Sequence, residues 1–308
     1  MTAAHLRRGL PPLFLLFLAS LHAQTPLFRS ATRLVVLHAT VTDRHGDLVT
    51  NLDAGAFSIF ENGIRQPIAL FRRDDVPVSI GLLVDNSGSM RSLRAKVEAA
   101  ALAFARASNP QDEMFVLNFA DKARLDVPMT SDLGALERGI ARVDSIGGTA
   151  MRDAIETAEN YLRDHAKQDR RVLLVITDGI DNASTATGAD IERHAERTET
   201  VIDAVGLFHT QDGSRGSEGR RQLKELTERT GGIAYFPEGV DQVESVTVGL
   251  ARQIRSQYTI AYMPTRQALD GSYRSIRVTA SGPERYTVRT RAGYRAVPDA
   301  QRKESTSF

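Results

Sequence analysis

The chain has 308 residues, 42% of them hydrophobic and 25% charged, and its 39 basic and 38 acidic side chains leave a formal net charge of +1. That length holds two domains of ordinary size; the near-neutral balance gives no electrostatic footprint for nucleic acid, and few aromatics with no Trp give no base-stacking platform. No cysteine is present, which excludes disulfides, thiolate metal sites, cysteine nucleophiles and a lipidated N-terminal cysteine.

The first residues have the layout of a secretory signal peptide over 1–23. Arg7 and Arg8 are basic, an apolar run follows from about Leu13 to Leu21, and small residues surround Ala23. The run is well short of the ~20 residues needed to span a bilayer. A secreted or periplasmic protein is therefore expected, with no membrane span after cleavage.

From 24 to 75 the pattern is strand and turn. "RLVVLHATVTD" is β-branched, and Asn62-Gly63 separates two short apolar runs, which is a hairpin signal. From 76 to 255 strands alternate with helical stretches. Ile80–Val84 is a continuous apolar strand. Helices are expected over Ser92–Ala107, Leu133–Val143, Met151–His165, Ala189–Thr198, Gly219–Thr230 and Val240–Ile254. Strands separated by helices imply a doubly wound, mostly parallel sheet covered on both faces, with "ARLDVPM" as an antiparallel exception. From 256 to 296 alternation returns, and these strands are expected to pack with those of 24–75 as a β-sandwich-like domain. The polar tail 297–308 is expected to be disordered.

Ligands of an open parallel α/β sheet bind at the carboxyl ends of its strands. Three oxygen-rich stretches fall there: Asp85, Ser87 and Ser89 in "DNSGS"; Thr149 in "GGTAMRDAI"; and Asp178 in "ITDGIDN". Hydroxyls and carboxylates without imidazole or thiol suit a hard divalent cation, Mg²⁺ above all, with Mn²⁺ and Ca²⁺ as alternatives. Each stretch alone also fits a plainer role: a turn, a helix N-cap, a strand-to-loop corner. Asp181 reads as a loop or capping residue. The Gly147-Gly148 pair lacks the following Lys of a nucleotide loop. The long polar segment His209 to Gly219 follows a strand and is expected on the same rim.

Together these stretches resemble the von Willebrand factor type A domain and its metal-ion-dependent adhesion site, a pattern of Asp-x-Ser-x-Ser, a distant Thr and a distant Asp. The resemblance covers about Val78 to Ile254. The flanking "DLVTNLDAGAFSIFENGIRQPI" and "DGSYRSIRVTA" more loosely resemble bacterial secreted proteins called VWFA-related. The resemblance implies that Ser87, Ser89 and Thr149 contact the metal through hydroxyls, and that Asp85 and Asp178 hold it directly or through water. It implies a non-enzymatic adhesion module whose partner is a protein or peptide with an exposed Asp or Glu. Two other readings stand beside it. One is an interaction subunit of an envelope assembly working through its β domain, with a purely structural metal. The other is a metal-dependent phosphoesterase, for which Arg91 and Arg152 lie near the cluster.

Overall fold

The computed structural model describes residues 34–297 apart from 74, 141–145, 179, 196–198 and 209–212. The expected signal peptide and all of the expected tail but Val297 lie outside the described residues.

The chain begins with β1 (Val35–Thr42), β2 (Phe57–Glu61), β3 (Ile64–Gln66) and β4 (Ile68–Arg72). Asn62 and Gly63 join β2 to β3 with φ of 48° and 80°. Both are left-handed, as a two-residue hairpin with right-twisted strands requires. The α/β segment comes next: β5 (Val78–Asp85), α1 (Arg94–Ala107), β6 (Glu113–Phe119), β7 (Ala123–Thr130), α2 (Leu133–Ile140), α3 (Met151–His165), β8 (Arg170–Thr177), α4 (Gly188–Ala195), β9 (Val201–Gly206), α5 (Gly213–Thr230), β10 (Ala234–Tyr235) and α6 (Val243–Arg255). Last come β11 (Tyr258–Tyr262), β12 (Tyr273–Ala280), β13 (Thr287–Arg289) and β14 (Gly293–Arg295).

The central sheet has six strands in the order β10-β9-β8-β5-β6-β7, and only the β6–β7 pair is antiparallel. All eight residues of β5 are buried because helices cover both faces. Val78, Ile80, Leu82 and Val84 face α1 and α6 in one core; Leu83 faces α3 in the other. Gly81 lies on the second face, where a Cβ would meet Leu173 and the Phe115 ring at 2.5 Å.

Strands from both chain ends build two further four-stranded sheets, β13-β1-β11-β4 and β14-β12-β2-β3. Their inner faces share one core that includes Leu37, Ile59, Ile260, Tyr262 and Val278. The described residues all belong to one compact unit, and buried polar contacts tie the α/β part to the sandwich. Arg170 donates to the carbonyl of Ile254 and, over 2.7 Å, to Gln257 Oε1. Gln257 Nε2 in turn donates to Thr40 Oγ1 at 3.2 Å. Arg255, at the end of α6, pairs through Nε with Asp75 at 2.8 Å.

Helix starts differ from the sequence expectation: α6 begins at Val243, three residues late, after a 3-10 turn over Val240–Gln242. The stretch Gly88–Ser92 is a 3-10 turn, and α1 begins only at Arg94. The segment expected as a long rim loop is largely helix, since α5 starts at Gly213 rather than Gly219; His209–Asp212 lie outside the described residues. Glycine disfavours a helix interior by about 1 kcal/mol, but packing overrides that here. A Cβ at Gly219 would sit 2.6 Å from the Phe208 ring and 3.0 Å from Ile180, so the absent side chain lets α5 close onto the sheet.

Candidate metal centre

β5 delivers Asp85 at its carboxyl end, almost fully buried. One carboxylate oxygen accepts the Ser87 amide at 2.8 Å; the other accepts the Thr177 hydroxyl at 2.5 Å. Thr177 closes β8, which lies beside β5 in register, so the neighbouring parallel strand and the loop after β5 each fix one oxygen of the carboxylate. Burial pushes the Asp85 pKa up to about 6; the bonds from Thr177 and Ser87 act against this, and the charge of Asp178 adds to it. Among the described residues no lysine or arginine pairs with Asp85.

After Asp85 the chain turns sharply. The Gly88 amide donates to the Gly147 carbonyl at 3.2 Å, tying the serine loop to the loop that carries Thr149. The turn sets Ser87 Oγ and Ser89 Oγ 3.0 Å apart, and Ser89 Oγ donates to Asp178 Oδ1 at 2.8 Å. Two hydroxyls and a carboxylate from chain segments 89 residues apart thus meet directly.

Thr149 is bonded through its backbone to the loop that follows Asp178. Its amide donates to Asn182 Oδ1 at 2.8 Å, and its carbonyl accepts the amides of Asn182 and Ala183 at 3.0 and 3.2 Å. Its loop is held on the other side by Asp121, whose carboxylate accepts the Gly148 amide at 2.6 Å. At Gly147 the backbone has φ +99° and a Cβ would lie 2.3 Å from Asp121 Oδ2; both facts require glycine there.

Of the residues singled out from sequence, Asp85, Ser87, Ser89 and Asp178 are linked by side-chain bonds, and Thr149 by its loop. Asp181 is a capping residue: it accepts the amides of Arg152 and Ser184, the Ser184 hydroxyl and, at 2.9 Å, the Arg152 guanidinium. Burial pushes its pKa up, but the bonds from Arg152 and Ser184 outweigh this and hold the net value below the usual carboxylate range. Arg152 is thereby committed to the loop. Sequence reasoning missed Thr177, Asn182 and the role of Asp121. Thr177 is adjacent to Asp178 and carried a legible hint. Asn182 and Asp121 act through backbone groups, which leave no mark in a side-chain pattern.

The donor set suits a hard cation. It is all oxygen, its two carboxylates repel each other without a basic partner on Asp85, and two hydroxyls already lie within a shared hydrogen bond of one carboxylate.

A doubly wound sheet with an oxygen-lined loop cluster at its strand ends defines a class of α/β binding domains. Residues 80–180 match the family model for the von Willebrand factor type A domain, and the chain contains such a domain. Among solved structures it is similar to a von Willebrand factor type A protein from Catenulispora acidiphila, at 13% identity and TM-score 0.50, covering 89% of this chain and 77% of that one. It is also similar to the pilus adhesin SpaC from Lactobacillus rhamnosus GG, at 12% identity and TM-score 0.49, covering 70% and 39%. A third similar structure is the vWF domain of the type V pili tip protein Mfa5 from Porphyromonas gingivalis, at 12% and 0.47, covering 58% and 95%. At such identities the likeness concerns the fold. No curated protein sequence matches the chain. Among the described residues no helix is long and apolar enough to cross a membrane.

Proposed function

We propose that the chain is an exported, non-enzymatic protein-binding module that captures an acidic side chain of a partner through a divalent cation, Mg²⁺ first. Asp85, Ser87, Ser89, Thr149 and Asp178 would hold the ion. The observation that carries this is the contact of Ser87 Oγ, Ser89 Oγ and Asp178 Oδ1 at 3.0 and 2.8 Å, across two loops that the fold brings together. A cation held there would supply a Lewis-acidic position for a carboxylate oxygen. The protein's own part is placement. The Ser87 amide and Thr177 orient Asp85, the Gly88 amide fixes the spacing of the two serines, and Asn182 sets the height of Thr149. Neutral hydroxyls leave the ion less neutralised than carboxylates do, which favours an anionic visitor.

The described histidines make their contacts elsewhere: His38 with Thr259, His45 with Arg44, His165 on Tyr161 and His194 beside Glu159. This supports binding over hydrolysis by an activated nucleophile. An envelope location rests on the basic and apolar layout of residues 1–23.

Calorimetric titration with Mg²⁺ and Mn²⁺ tests the site. Saturation to 100-fold above Kd should stabilise the fold by about 2.7 kcal/mol, and Asp178→Ala should abolish both heat and stabilisation. Capture of envelope partners should be lost with EDTA and with Asp178→Ala. Capture that survives both would place the contact on the β domain, and turnover of generic phosphoesters would overturn the non-enzymatic reading.

A further inference from the structure

The outer face of the sheet β14-β12-β2-β3 has a composition unlike the rest of the surface. Phe60 on β2 stands in register between Arg65 on β3 and Arg277 on β12. The Arg277 guanidinium lies 4.3 Å from the centre of the Phe60 ring. Two rows along, Tyr273 stands opposite Arg295 of β14. Side chains at alternate positions of β12 share this face, so Tyr273, Ser275, Arg277 and Thr279 all point outward and are exposed.

No carboxylate on these strands balances Arg65 and Arg277. The one acidic residue on the four strands is Glu61, which is buried in the sandwich core and accepts the hydroxyls of Tyr262 and Tyr294 at 2.7 and 2.9 Å. Neither Arg65 nor Arg277 has an acidic partner among the described residues. The chain as a whole carries only +1, while this face carries Arg65 and Arg277 with no carboxylate on that side of its strands to offset them.

We infer that this sheet face docks on an anionic phospholipid surface, with Arg65 and Arg277 engaging separate headgroup phosphates. Arginine presents a planar fork to phosphate oxygens. Arg65 and Arg277 are two strand spacings apart, roughly 10 Å, so each takes its own phosphate. The side chains around them are small (Ser58, Ser275, Thr279), which leaves a level carpet rather than a pocket for one acidic side chain. The face belongs to the flanking strands alone, so the inference does not depend on the cation site.

Vesicle flotation of the full chain, in EDTA to silence that site, tests it. The chain should float with phosphatidylglycerol/phosphatidylcholine vesicles at about 50 mM salt and be released at about 500 mM, where screening is short-ranged. It should not float with phosphatidylcholine alone. Each arginine near an anionic surface is worth about fivefold in partition, so Arg65→Glu with Arg277→Glu should lower it more than about twentyfold. Thr279→Glu, on the same face beside Arg277, should lower it severalfold at unchanged Tm. Equal flotation with both vesicle types, or undiminished flotation of the double variant, overturns the inference. So does arginine-dependent binding to an acidic polypeptide with none to vesicles.

Discussion

The central sheet and the sandwich are both sheets, but they use sequence differently. β5 buries all eight of its residues, while β12 alternates exposed and buried along its first seven. The first is covered by helices on two faces; the second has one face in a core and one in solvent. The two sheets therefore divide the labour. The rigid, doubly covered sheet can set hydroxyls to within tenths of an ångström at its strand ends. The half-solvated sheet is free to vary its outer face, and there it gathers arginines.

The contrast is open to test, beginning with the largest effect. Phe115→Ala in the central sheet removes a ring that has no solvent exposure and should cost about 4 kcal/mol, read from urea unfolding. If the loss falls well below this, the helix-covered core is less tightly packed than its burial implies.

Next comes Asp203 on β9. It is buried, accepts the Ile233 amide at 2.8 Å through one oxygen, and has no hydrogen-bond partner for the other. Burial pushes its pKa up to about 7, against the Ile233 bond and the charge of Arg289 on β13. An acid whose folded pKa lies above its unfolded value supports the fold fully below the unfolded value, about 4, and loses that support as pH rises toward 7. Stability should therefore decline across that window, by on the order of 4 kcal/mol at most, and Asp203→Asn should flatten the decline. A profile unchanged by the substitution would show that the carboxyl is not the titrating group.

In the sandwich, Tyr262→Phe removes one of two hydroxyls donated to Glu61 and should cost about 1–2 kcal/mol, again read from urea unfolding. The smallest effect is expected on the outer face of β12, where Thr279→Lys should stay within about 0.5 kcal/mol. A large loss there would mean that this face is covered.

The same contrast explains what could be read before the structure. The central strands and the helix Met151–His165 were legible because their apolar runs and periodicity are long. The contacts among Asp85, Ser87, Ser89 and Asp178 were foreshadowed because these oxygen-bearing side chains fall at strand ends. The beginning of α5 was not, because glycines at 213, 216 and 219 signal a loop locally, while close packing against Phe208 demands the last of them. The clasp of Asn182 on Thr149, and of Asp121 on Gly148, was not legible either. Those bonds depend on which loops become neighbours in space, and nothing in the intervening residues encodes that.

The path of the chain also has a mechanical side. The α/β segment leaves the sandwich after β4 and returns into β11, and these two strands are themselves hydrogen-bonded antiparallel neighbours, with Asp75 and Arg255 clasping the two connections. Tension applied at the far rim by a tethered partner would therefore reach both strands together and in the same direction. They would not slide past one another. The strain would fall on the next ladder, between β11 and β1, whose five paired residues from Val35 to Ala39 would be loaded side by side in shear and would not peel apart one by one.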